Sequence, residues 1–308
     1  MAKGYIFPGQ GAQTVGMGKD LYDESPEARR IIDRAGEILS IDLKRIMFDG
    51  PEEELSATDT SQPAILAMSL ATVKALGAEA DPERVKATAG LSLGEYTALA
   101  FAGSLDFEDA LRIVRERGRL MQEACDAHPG GMVSIIGLDC DAVSDLVARS
   151  ADDSVLTVAN VNSPEQVVVS GELDALDRLE ALAKKAGAKR AVRLKVAGAF
   201  HSSLMERAAA GLERVLAGVE IRPPAVPFVS NVSADFVSEP DEIRRFLVRQ
   251  LTSPVLWSKS MERMIGAGIV NFLEIGPGRV LTGLARRISP DVECVPLGTV
   301  RALAEVNL

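Results

Sequence analysis

Short apolar runs alternate along this chain with longer stretches in which apolar residues recur at helical spacing. Tyr5-Ile6-Phe7 reads as a strand, stopped by Pro8-Gly9-Gln10-Gly11. Residues 27–39, 61–77 and 94–103 read as helices, the second started by Ser61-Gln62-Pro63 ahead of an apolar run. Residues 86–89 form a weak strand by composition. The stretch 107–125 carries the clearest helical signal. At 100° per residue, Phe107, Ala110, Val114, Gly118, Met121 and Ala124 share one side. Arg112, Arg115, Glu116, Arg119, Gln122 and Glu123 fall on the other. Arg117 breaks the pattern, because it projects within the apolar arc.

The texture changes at Asp126. After the linker His128-Pro129-Gly130-Gly131, a strand is expected at 132–138, a helix at 141–150, strands at 155–162 and 166–170, a helix at 173–186 and a strand at 189–196. That β-α-β-β-α-β order is the order of a ferredoxin-like unit. Beyond it come a helix at 203–218, a strand at 226–232, helices at 239–251 and 257–267, a strand at 270–275 and a helix at 279–288. Ser203 and Glu206 have the S-x-x-E spacing of a capping box. Strand and helix alternate, so the fold class is α/β. We expect a larger α/β-hydrolase-like domain with a mostly parallel sheet, residues 1–126 and 198–308, and an inserted ferredoxin-like small domain, residues 127–197.

Three places in this pattern can carry chemistry. Gly90-Leu91-Ser92-Leu93-Gly94 has the G-x-S-x-G spacing of a nucleophile elbow, where a serine is exposed at a strand-to-helix corner. Chance also produces this pentapeptide. The unpaired N–H groups that open the following helix can hold a developing negative charge. The glycines around Gln10 either form a plain turn or let backbone approach a reacting atom. Arg117 needs an anion, because an unpaired guanidinium in an apolar arc is expensive. An internal Glu or Asp, escape to the edge of the helix, or a substrate carboxylate would each serve. His201 precedes a helix on a loop leaving a strand. That suits a general base and equally suits an ordinary histidine beside a cap. His128, next to proline, reads as a solvated loop residue.

Composition narrows the classes. A chain of 308 residues, 47% hydrophobic, has ample material for a core. No apolar run is long enough to span a membrane, and the start is no signal peptide, so a cytoplasmic location is expected. The net charge of −10 argues against nucleic-acid and anionic-membrane binding. Two histidines, and three cysteines (Cys125, Cys140 and Cys294) without C-x-x-C spacing, suggest reduced thiols and no metal site. No phosphate-binding or dinucleotide fingerprint is present.

The sequence resembles the malonyl-CoA:acyl carrier protein transacylases of bacterial fatty-acid synthesis over nearly its whole length. The matching motifs are Phe7-Pro8-Gly9-Gln10-Gly11, Ser92-Leu93-Gly94-Glu95-Tyr96, Arg117-Gly118, Asn162-Ser163-Pro164, Ala199-Phe200-His201, Arg249-Gln250-Leu251 and Glu274-Ile275-Gly276-Pro277-Gly278. The resemblance implies a malonyl-serine intermediate on Ser92, with His201 as its base. It implies an oxyanion hole from the backbone N–H groups of Gln10 and Leu93. Arg117 would bind the malonyl carboxylate, the main-chain carbonyl of Gln250 would orient the imidazole, and Phe200 would favour malonyl over methylmalonyl groups. Malonyl-CoA and acyl carrier protein are the implied partners. No cofactor is expected beyond the CoA thioester and the partner's phosphopantetheine, and a monomer is expected. Lys189, Arg190, Arg193, Lys195, Arg286 and Arg287 are candidates for docking an acidic carrier. Leu91 departs from the family, which usually has histidine before the nucleophile. A serine hydrolase or thioesterase with the same elbow, or a catalytically silent carrier-binding subunit, are the competing readings.

Overall fold

A computed structural model describes residues 3–77 and 83–306. The chain enters through β1 (Lys3–Phe7) and continues through α1 (Lys19–Glu24), α2 (Pro26–Leu39), α3 (Leu43–Asp49), α4 (Glu52–Ser56) and α5 (Thr58–Ala75). The Ser25 side chain accepts from the Ala28 N–H and Pro26 takes the first position of α2, as helix starts favour. The short helices α1, α3 and α4 were not expected; none is long enough to display a full apolar period.

Helix α5 is buried on nearly every side, which accounts for its lack of a polar face. It begins at Thr58, one turn before the expected start, so Pro63 lies inside it. Proline has no N–H to offer the carbonyl four residues back. That carbonyl, Asp59 O, instead accepts from Arg115 Nη1 at 2.8 Å. A side chain from the next long helix therefore supplies the donor that the proline removed.

Next come β2 (Val85–Gly90), α6 (Gly94–Phe101) and α7 (Phe107–Ala127). The following segment runs β3 (Gly131–Ile136), α8 (Cys140–Ala151), β4 (Leu156–Ser163), β5 (Gln166–Gly171), α9 (Leu173–Lys185) and β6 (Arg190–Arg193). Its four strands lie in the order β4-β5-β3-β6, all antiparallel, which is the ferredoxin-like arrangement. It has an apolar core of its own, with Val133, Ile135, Val167 and Val169 against Val143, Leu176 and Leu179.

The remainder holds α10 (Glu206–Ala217), β7 (Phe228–Val229), β8 (Phe236–Val237), α11 (Pro240–Arg249), α12 (Trp257–Gly266), β9 (Asn271–Ile275), α13 (Val280–Ile288), β10 (Glu293–Leu297) and α14 (Val300–Glu305). The large sheet has the order β10-β9-β1-β2-β7-β8 and is parallel except for β8. Three expectations need correction. The strand expected at 226–232 is only the two residues of β7, followed by a turn into β8. The capping box fails: Ser203 lies in a 3-10 turn, and Ser202 caps that turn by accepting from the Leu204 N–H. Strand β10 and helix α14 were not expected. The strand contains Pro296, which an edge position tolerates. The two sheets are joined where Val255, just before α12, bonds Ala159 and Val161 of β4.

Candidate active site

Ser92 sits between β2 and α6, at the carboxyl end of the parallel sheet. Its φ is +52°, in the left-handed region that non-glycine residues avoid at a cost of about 1–2 kcal/mol. The surrounding backbone enforces that turn. A methyl at Gly90 would collide with the Gly94 carbonyl, one at Gly94 with the Phe7 carbonyl oxygen, and one at Gly9 with the Leu91 carbonyl oxygen. The Leu91 N–H donates to Phe7 O at 3.0 Å. The loop after β1, with Gln10, is thereby held against the elbow. Neither the Gln10 nor the Leu93 N–H has a hydrogen-bond partner among the described residues, so both are free to meet an oxyanion.

The Ser92 Oγ lies 2.9 Å from His201 Nε2. His201 is buried, also at a positive φ, on the turn before α10. Its Nδ1 lies 2.7 Å from the Gln250 carbonyl oxygen. A carbonyl can only accept, so Nδ1 carries the proton and Nε2 presents a lone pair to the serine hydroxyl. Burial, and then the positive charge of Arg117, lowers the imidazole pKa from 6.5 to about 4. The ring is therefore neutral at pH 7 and ready to take a proton. Gln250 opens a 3-10 turn after α11, which presents its carbonyl to the ring.

Arg117 is 1% exposed, and α7 points it at the serine. Its Nη1 donates to Gln62 Oε1 at 2.8 Å; its Nη2 donates to Gln250 Oε1 at 2.9 Å and to Ser92 Oγ at 3.1 Å. The guanidinium carbon lies 5.5 Å from the Tyr96 ring centroid, a cation–π contact. Among the described residues no carboxylate forms an ion pair with it, and its Nε has no hydrogen-bond partner. The internal acid that could have explained this residue is not in contact with it. A buried cation beside a nucleophile, with donors to spare, is shaped for an anionic group on a substrate.

Three residues at this site were given no role by the sequence, although Glu95 lies within the matched elbow motif. Asn231, just beyond β7, accepts from the Ser92 N–H at 2.7 Å and donates through Nδ2 to Gly90 O at 2.7 Å, clamping the strained corner. Glu95, fully buried in α6, accepts from the Asn231 N–H at 2.6 Å and from Gln250 Nε2. Gln62 of α5 holds the guanidinium. Each acts across more than fifty positions of chain, and no local spacing announces it. Phe200 is buried in the main apolar core. Leu91 is partly buried against the second one, with Trp257 and Met261. His128 is exposed at the end of α7, as expected. Among the described residues no His, Cys, Asp and Glu cluster could hold a metal ion, and no helix is long and apolar enough to cross a membrane. The three cysteines are free; burial pushes the thiols of Cys125 and Cys294 up to about 12.

Comparison with known proteins gives the family. Residues 4–293 match the acyl transferase domain family. The chain is 43% identical over 295 residues to the malonyl CoA-acyl carrier protein transacylase of Bacillus subtilis, covering 94% of this chain and 92% of that one. An acyl carrier protein S-malonyltransferase from Vibrio cholerae superposes with a TM-score of 0.95 at 41% identity, with all of both chains covered. A malonyl-transacylase solved with a type II PKS acyl-carrier protein superposes with a TM-score of 0.94 at 40% identity, covering 99% of this chain and 98% of that one. The serine elbow, the imidazole facing it and the buried guanidinium thus lie in an acyltransferase fold, and the chain belongs to the malonyl-CoA:acyl carrier protein transacylase family.

Proposed function

We propose that this acyltransferase moves the malonyl group from malonyl-CoA to the phosphopantetheine thiol of acyl carrier protein, through a malonyl ester on Ser92. Ser92 Oγ attacks the thioester carbonyl while His201 Nε2 takes the hydroxyl proton. The N–H groups of Gln10 and Leu93 hold the oxyanion, each such donor contributing about 3 kcal/mol in comparable sites. The carbon–sulfur bond breaks and CoA leaves as the thiol with the proton from His201. The carrier thiol then gives its proton to His201, attacks the ester and restores Ser92. Gln250 O fixes the ring, in the place a triad carboxylate fills elsewhere. A thiolate is a good leaving group, so this weaker support suffices.

Arg117 binds the free malonyl carboxylate, which replaces its contact with Ser92 Oγ and frees the nucleophile. Phe200, next to the base, restricts the space for a 2-methyl branch. The single observation that carries this reading is the Ser92 hydroxyl between a neutral imidazole at 2.9 Å and a guanidinium at 3.1 Å that no carboxylate among the described residues pairs with directly. We take the protein to act as a monomer. The chemistry requires no cofactor of its own, and a cytoplasmic location fits both thioester partners. We divide the chain as 1–126 and 198–308, carrying the site, and 127–197, closing the cleft.

For docking an acidic carrier, the candidate cations are not equivalent. Lys189 is paired with Glu165, and Arg193 with Asp177 and Glu180. Arg287 donates to Gln166. Arg190, Lys195 and Arg286 are exposed and have no ion pair among the described residues, so they are the better candidates. The test is incubation with malonyl-CoA, with and without holo carrier protein. The reading predicts malonyl-carrier formation and little free malonate. Steady malonate release with no carrier product would make the protein a thioesterase.

A further inference from the structure

Gln250 does more at this site than offer its main-chain carbonyl. Its side-chain amide lies between Arg117 and Glu95, and all three of its partners agree on which end faces which. Oε1 accepts from Arg117 Nη2 at 2.9 Å, while Nε2 donates to the Ser92 carbonyl oxygen at 3.0 Å and to Glu95 Oε2. The other Glu95 oxygen accepts from the Asn231 backbone N–H at 2.6 Å. We propose that the Glu95 carboxylate is a positioning residue for acyl-group selectivity: by accepting on both oxygens, it locks the Gln250 amide with its oxygen toward Arg117, and so holds the guanidinium for a carboxylate-bearing acyl group.

The chemistry is asymmetric. The Asn231 N–H is backbone and cannot turn away, since its residue is also fixed through its carbonyl by the Leu256 N–H. If the group at 95 gains a donor, through protonation or replacement by an amide, the Asn231 N–H keeps one oxygen as an acceptor and the donor falls on the other side, toward Gln250 or the Ser230 hydroxyl; we take it to face Gln250. The Gln250 amide then flips to present its oxygen to residue 95. Its NH2 turns toward Arg117 Nη2, donor against donor, and its contact with the Ser92 carbonyl is lost. The His201 Nδ1–Gln250 O contact is made by backbone and survives the flip. Selectivity should therefore fall while the ester-forming chemistry persists.

The charged group facing Glu95 is Arg117. The Asn231 N–H, the Gln250 amide and the Ser230 hydroxyl also face it, and the buried Tyr96 phenol follows it in the chain. Burial raises the Glu95 carboxyl from 4.5 to about 7 against the opposing pull of these groups. The switch in donor pattern therefore falls within reach of ordinary assay pH.

This inference rests on malonyl transfer being the reaction. The experiment measures malonyl and acetyl loading rates on Ser92 by intact mass, for the wild type across neutral pH and for Glu95→Gln. In Glu95→Gln, malonyl loading falls at least about tenfold and acetyl loading stays within about threefold. In the wild type, the malonyl-to-acetyl ratio falls as pH drops through about 7, and in Glu95→Gln it is flat. Equal loss for both acyl groups, or an unchanged ratio, overturns the proposal. If the variant does not fold, the wild-type ratio decides, and a ratio independent of pH overturns it. A wild type that never acylates Ser92 would overturn the transfer reading itself, a different outcome from acylation with a flat ratio.

Discussion

Arg193 in the small antiparallel sheet and Arg117 in α7 are the same side chain in opposite circumstances. Arg193, at the rim of β6, meets two acids of its own unit, Asp177 and Glu180. Arg117 is buried and meets two amides, a hydroxyl and an aromatic face instead. A fold seeking only stability would have set a carboxylate directly against the buried cation, because desolvated charge is costly and an amide neutralises none of it. The small unit meets Arg193 with acids of its own, whereas around Ser92 the Glu95 carboxylate is joined to the guanidinium only through the Gln250 amide. We read a guanidinium that no carboxylate touches directly as the place for a substrate anion.

The comparison can be broken most severely at the imidazole. His201→Ala should slow acyl loading about a hundred- to ten-thousand-fold for malonyl and acetyl alike, measured by single-turnover kinetics. The ring is the base only when neutral, and its folded pKa is lowered to about 4. Acetyl loading should therefore hold constant through neutral pH and fall only as pH drops toward 4.

Arg117→Ala should next cost malonyl loading about 2–4 kcal/mol, because the substrate carboxylate is left without a partner. Acetyl loading should change little, so an unchanged malonyl preference removes the guanidinium from the account. Asn231→Ala should then destabilise the fold by about 1–3 kcal/mol in denaturant melts, since the Ser92 N–H and Gly90 O lose their shared partner. Arg193→Ala should do least. Its pairs lie at the surface, so stability should shift by less than about 1 kcal/mol and loading not at all. A large loss of activity there would mean that the two arginines differ less than their surroundings suggest.

What the sequence made legible follows from how local each signal is. The glycines around Ser92 are needed by backbone crowding at the corner itself, so the pentapeptide announces it. Arg117 stands out because one residue violates a twenty-one-residue helical period. The β-α-β-β-α-β order and its spatial arrangement were both readable. Pro63 misled, because a proline ahead of an apolar run looks like a helix start; only Arg115, fifty-two positions on, explains its place inside α5. Strand β7 is only two residues long, yet it is followed by Asn231, the clamp of the elbow. Asn231, Glu95 and Gln62 form a buried polar network whose members meet only in the folded chain. The resemblance pointed to the Gln250 carbonyl, but the part its side chain plays emerged from the three partners around it.

The central claim is that Ser92 carries the acyl group and that the buried guanidinium chooses it. Intact-mass measurement after exposure to malonyl-CoA or acetyl-CoA, on wild type and Ser92→Ala, tests it most directly. The account predicts one malonyl adduct on the wild type, a weaker acetyl adduct, and none on Ser92→Ala. A malonyl adduct that persists without the Ser92 hydroxyl, or a wild type that takes up neither group, would contradict it.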